Sequence, residues 1–164
     1  MIAARVVELI EIHADRLTNE VARNLVGNVR TVGFRRVRGE ELEQRIFEIL
    51  HHLGAWLEHP KGERVRAEFS DWGRRRFEEE IPLSEIVYAV LLLKGTLRRY
   101  IRDNGLVEEA VPRMHGEGVL PVHMHGLMEL NSQVNEFFDE AIYHLCTGYE
   151  TAAKHAELAQ RQGA

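Results

Sequence analysis

The 164 residues carry 45% hydrophobic side chains and a formal net charge of -5, which suffices for one domain with a sizeable core and gives no reason to expect a nucleic-acid or anionic-membrane partner. The single cysteine, Cys146, excludes an internal disulfide framework and fits a reducing cytoplasm. Arg5, Glu8 and Glu11 interrupt the amino-terminal apolar residues, so no signal peptide is expected, and no apolar run approaches the ~20 residues that span a bilayer.

In chain order, apolar groups at Val6, Leu9, Ile10, Leu17, Val21 and Leu25 predict a first helix from residue 2 to about 30, with His13 inside the same stripe and Gly33 just beyond the end. Arg38-Gly39-Glu40-Glu41 opens a second helix with a stripe at Leu42, Ile46, Ile49, Leu50, Leu53 and Leu57, and Pro60-Lys61-Gly62 closes it. A third runs from about Glu63 to Glu79, with Val65, Phe69, Trp72 and Phe77 inward. A turn at Glu80-Ile81-Pro82 precedes the fourth and central helix. Its face repeats at Ile86, Val90, Leu93, Leu97 and Ile101, and Val87, Ala89, Leu91 and Leu92 widen that face almost to a full circle, so several neighbours are expected to bury it. Pro82, Ser84 and Glu85 mark its start, and Arg98, Arg99 and Arg102 followed by Asn104-Gly105 mark a left-handed stop.

Residues 106 to 126 read as less regular: a helical piece at Val107 to Val111, cut by Pro112, then a loop holding Gly116, Gly118, Pro121 and Gly126. A last helix follows from about 122 to 161, through Leu127, Leu130, Val134, Phe138, Ala141, Leu145 and Tyr149. At 1.5 Å per residue it approaches ~60 Å, more than a domain of this size needs. Beyond Tyr149 the tail is rich in alanine, a good helix former with little to bury, and a second copy alongside is its simplest partner. No alternation of period two predicts a strand. The expectation is one all-α domain over residues 1–164, a bundle of five to six helices with a long C-terminal helix.

The chemistry-bearing motifs are few. A phosphate-cradling loop, a nucleophile elbow and a paired-cysteine zinc motif are all absent, so no enzyme is expected. Nine histidines stand out. A di-iron bundle needs Glu-x-x-His on each of two helices, and only Glu48 with His51 supplies one; His125 and Glu129 lie one helical turn apart. His115, His123 and His125, beside Met114 and Met124, are residue types that bind copper, nickel or zinc, but no fourth ligand accompanies them and they read as solvated loop histidines. His13 reads as a core histidine satisfied by a carbonyl or carboxylate, with a haem ligand or buried pH sensor as the functional alternatives. Cys146 reads as a small core residue, and Arg35, Arg36 and Arg38, like Arg74 to Arg76 facing Glu78 to Glu80, as solvated helix faces.

Gly73-Arg74-Arg75-Arg76, then Ile81-Pro82-Leu83-Ser84-Glu85-Ile86-Val87 and the Leu91-Leu92-Leu93 block, resemble the amino-terminal domain of RsbRD-type RsbT co-antagonist proteins. Glu129-Leu130-Asn131, Phe137 to Ala141 and Gly148-Tyr149-Glu150 are similar to that family's closing helix, and the likeness runs over about residues 10 to 153. The resemblance implies a cytoplasmic, globin-like sensory domain of stressosome-type stress signalling that binds no haem, needs no cofactor, forms homodimers and in many relatives precedes an output domain such as a STAS domain or histidine kinase. No output domain is read within these residues, and no phosphorylatable position carries over. The histidines of Met114 to Gly126 match nothing in the family's motif. A two-fold contact is expected on an outward stripe of the first and last helices, with Ile2, Val6, Phe137 and Tyr149 as its candidates. The alternative is a small metal- or haem-binding protein using His13 or the His115, His123 and His125 loop.

Overall fold

The computed structural model describes residues 2–105 and 119–163, and side-chain burial for 2–105 and 121–163. Among the described residues every regular element is helical: α1 (Ile2–Ile12), α2 (Ala14–Gly27), a 3-10 segment (Val29–Arg36), α3 (Gly39–His51), α4 (Leu53–Glu58), α5 (Glu63–Glu78), α6 (Leu83–Asn104) and α7 (Val119–Gln162). The fold is all-α with a long final helix. The count exceeds five or six because two expected helices are each broken by a histidine.

His13 adopts φ -94° and ψ 15°, which bends α1 from α2 although the hydrogen bonds His13 N to Leu9 O and Leu17 N to His13 O persist. Neither proline nor glycine causes the bend. The His13 ring is instead drawn to α6, where Nδ1 and the Tyr100 hydroxyl share a 2.7 Å hydrogen bond. His52 makes the second break, between α3 and α4, and Gly54 N beyond it donates to Glu11 Oε1 on α1 at 3.0 Å. The chain after Gly27 turns into the 3-10 segment, fastened to α6 by Gly33 N donating to Glu85 Oε2 at 2.7 Å. Glu85 thus ties two elements together rather than capping its own helix.

The turn before α6 lies where the sequence places it. Ile81 N donates to Arg76 O and Glu80 N to Phe77 O, the paired bonds of a Schellman ending, with Glu80 left-handed at φ 58° and Ile81 fully buried behind it. Gly105, expected to be left-handed, is right-handed at φ -69°. α6 touches α1, α2, α5, α7 and the 3-10 segment. Its burial is not complete around the circumference: Ile86, Val90, Leu93, Leu97 and Ile101 are buried, whereas Leu91 is 45% exposed.

α7 begins earlier than the glycine-rich pattern suggests. Pro121 falls in its first turn, where a missing amide hydrogen leaves no bond unmade, and Gly126 lets Ile2 of α1 approach, since a Cβ there would stand 2.9 Å from Ile2 Cγ2. The Val107 to Val111 piece, Pro112, Met114, His115, Gly116 and Gly118 lie outside the described residues.

α5 and α7 make the broadest contact and run in the same direction, Phe69 meeting Phe137 at 5.8 Å between ring centroids and Phe77 meeting Tyr149 at 5.3 Å. They cross backbone to backbone. A Cβ on Gly73 would lie 2.0 Å from Leu145 O, and one on Gly148 would lie 2.1 Å from Ser70 O, so only glycine fits at either position.

The outward stripe expected of the first and last helices is not outward. Val6 and Phe137 have no exposed surface and Ile2 only 6%, because the face of α1 that carries Ile2 and Val6 packs on α4 and α7. Tyr149 is half-buried, its hydroxyl donating to Ile81 O at 2.9 Å.

Candidate functional site

Between α2, α3, α5, α6 and α7 the core does not close completely. An apolar cavity of about 70 Å³ remains, walled by Leu25, Ile46, Phe69, Val90, Leu93 and Phe138 among others, with Leu145 of α7 also on its wall. Glu41, Arg45, Trp72, Arg75 and Arg76 stand at its polar side. Arg76, read from sequence as part of a solvated cluster, is 11% exposed in its side chain and bridges α3 and α5, pairing with Glu41 at 2.9 Å and with Glu79 at 3.2 Å. Arg75 pairs with Asp71 at 2.8 Å. Arg45 has the loosest tie, 3.8 Å to Glu48, and its guanidinium lies 5.5 Å from the centroid of the Trp72 ring. The Trp72 indole N–H is buried and makes no hydrogen bond among the described residues.

Asp71 and Cys146 are among the ionisable groups displaced on these elements. The Asp71 carboxyl is held below its usual range by the hydrogen bond from Arg74, against a smaller opposing effect of burial. Burial pushes the Cys146 thiol up, and Glu150 adds to the effect, so the cysteine is a poor nucleophile, as its apolar setting implied.

The histidines singled out by sequence are not brought together. His123 is half-buried and His125 exposed on the opening turns of α7, two residues apart and therefore on different faces; His115 lies outside the described residues. His51 Nδ1 lies 3.3 Å from Glu11 O and its ring stacks on Phe47 at 4.9 Å, which commits it to packing rather than to a pair with Glu48. His13 is satisfied, by the Tyr100 hydroxyl instead of the carbonyl or carboxylate expected, and burial raises the Tyr100 pKa. Among the described residues no three His, Cys, Asp or Glu side chains cluster closely enough to hold a metal ion.

Sequence reasoning missed the cavity. The spacing turns Trp72 and Phe69 inward, but the contact that matters, Arg45 of α3 over Trp72 of α5, joins residues far apart in the chain, and no local spacing announces it. The one available signal was Arg76, a cation at an inward register of α5.

These features define a helical domain with a partly open apolar cavity and a final helix that lines the cavity and then runs past the body. Residues 15–163 match the family model described as the RsbT co-antagonist protein rsbRD N-terminal domain, and the chain belongs to that family, a regulatory family of stress signalling. No curated protein and no solved structure matches the chain. Among the described residues no helix is long and apolar enough to cross a membrane.

Proposed function

We propose that the chain is a dimeric, cytoplasmic sensory domain of bacterial stress signalling, without haem and without an enzymatic step, which passes a change in helix packing to a signalling partner through α7. The observation that carries this reading is the course of α7. Phe138 and Leu145 wall the cavity, Tyr149 is pinned to Ile81 in the turn before α6, and the helix then continues to Gln162 with its last turns exposed. A bound molecule or partner that favours one packing of α5, α6 and α7 therefore acts directly on the element that leaves the body.

What the tail presents supports the dimeric part of this reading. The inward stripe of α7 extends past Leu145 as Tyr149, Ala152, Ala156 and Ala159, spaced four, three, four and three, which is the seam of a coiled coil with small residues that let backbones approach. Ala152 and Ala156 are half-buried and Ala159 is exposed, so one chain does not cover the seam. The two-fold contact belongs on this seam, with Tyr149 the one earlier candidate that lies on it.

Sedimentation equilibrium tests the reading. The full chain is expected to sediment with twice its 18.9 kDa at tens of micromolar, and deletion of Thr151 to Ala164 is expected to weaken association. A monomer at that concentration would overturn the dimer. The purified protein is expected to show no Soret band, and a stoichiometric one would overturn the haem-free reading.

A further inference from the structure

A domain of this size normally packs its interior to the density of an organic crystal, and an apolar recess of about 70 Å³, partly open toward solvent, leaves its wall atoms short of packing partners for as long as nothing apolar fills it. Here the recess coincides with a second defect: the Trp72 indole N–H is buried and makes no hydrogen bond among the described residues, although Trp72 lines the same cavity. A buried donor left unmade is a cost that native structures rarely carry. One molecule in the cavity, apolar over most of its surface and bearing one acceptor, removes both defects.

The charges at the polar side fix the sign of that molecule. Arg76 is held between Glu41 and Glu79 and Arg75 is held by Asp71. Arg45 lies over the Trp72 ring and is 3.8 Å from Glu48. Each cation already faces a carboxylate, so an anionic ligand would have to displace one of these pairs, whereas a neutral acceptor such as a carbonyl oxygen meets the indole N–H without disturbing them. The volume sets the size. An engineered cavity of ~150 Å³ accepts benzene with its six carbons, so about half that volume suits roughly three to four non-hydrogen atoms.

We propose that this cavity is a binding site for a small, neutral, mostly apolar molecule carrying one hydrogen-bond acceptor, with Trp72 Nε1 as the donor that selects it. The proposal rests on the sensory reading for its consequence, a shift of α7 through Phe138 and Leu145, but the binding stands or falls separately.

The test uses acetone, its apolar isostere isobutene, and acetate as probes of the full chain, followed in 1H–15N spectra. The two indole N–H signals are assigned with Trp56→Phe. Acetone is expected to move the Trp72 indole signal downfield saturably, and to bind roughly three- to tenfold more tightly than isobutene, the span of one net hydrogen bond. Trp72→Phe is expected to abolish that preference while leaving isobutene binding in place. Leu93→Phe, which fills the cavity with Trp72 intact, is expected to abolish binding of both probes, and it serves if Trp72→Phe does not fold. Acetate binding more tightly than acetone would overturn the proposal, as would a ketone preference that survives Trp72→Phe, or saturable shifts that survive Leu93→Phe. Absence of any saturable shift would also overturn it while leaving the dimer, read by sedimentation, untouched.

Discussion

Glu80 is the one described residue with a positive φ, and it is not a glycine. A left-handed L-residue costs about 1–2 kcal/mol, and glycine recovers that less its greater freedom in the unfolded chain. Glu80→Gly is therefore expected to stabilise the domain by roughly 0.5–1 kcal/mol in a denaturant titration. Leu93, buried on α6 at the cavity wall, contrasts with Arg99, exposed and 3.5 Å from Glu20. Leu93→Ala is expected to cost about 2–5 kcal/mol and Arg99→Ala less than about 0.5 kcal/mol, and equal effects would contradict the assigned faces of α6. Asp71 gives a pH prediction. Its carboxyl is held low by Arg74, so the folded value lies below the unfolded one; the group adds stability above the unfolded value and loses it as pH falls through the folded one. Asp71→Asn is expected to flatten the acid limb of the stability profile, and an unchanged limb would show that the pair contributes nothing. At this scale the sequence was legible for side chains on regular faces, such as Leu93. It was silent for Glu80, because glutamate carries no left-handed preference, and misleading for Gly105, whose helix does not end in that conformation.

The helices themselves were legible from periodicity, since Leu42, Ile46 and Leu50, or Ile86, Val90 and Leu97, repeat with the helical period and are buried together. The breaks at His13 and His52 were not legible, because the apolar period runs through both and the cause at His13 is a partner on α6. The start of α7 was hidden for a related reason: Gly126 and Pro121 usually signal a loop, and here one serves a close contact and the other a first turn. Gly73 and Gly148 are the strongest test at this scale. Alanine at either would press a methyl into the facing backbone and is expected to cost on the order of 1–3 kcal/mol or to force α5 and α7 apart. Gly95, exposed on α6 with open space around it, provides the control, where alanine is expected to stabilise by about 0.5–1 kcal/mol. If all three alanines had the same sign, the backbone crossing would not be the contact that joins the two helices.

For the whole molecule, all-α architecture, the long final helix and the family were legible, the last through the Ile81 to Val87 and Phe137 to Ala141 segments that fall inside the matched residues 15–163. The inward direction of the stripes that carry Val6 and Phe137 was not, because only the assembled bundle fixes it. The central claim is that α7 carries a signal as one of two adjacent copies. It is tested most directly by the distance between nitroxide labels attached at Gln160→Cys in a Cys146→Ser background, measured between copies by pulsed electron paramagnetic resonance. Helices about 10–12 Å across lying side by side place the labels within ~30 Å of each other, and a single population below that distance is the predicted result. Absence of dipolar coupling between copies at tens of micromolar protein, or distances beyond ~50 Å, would contradict it.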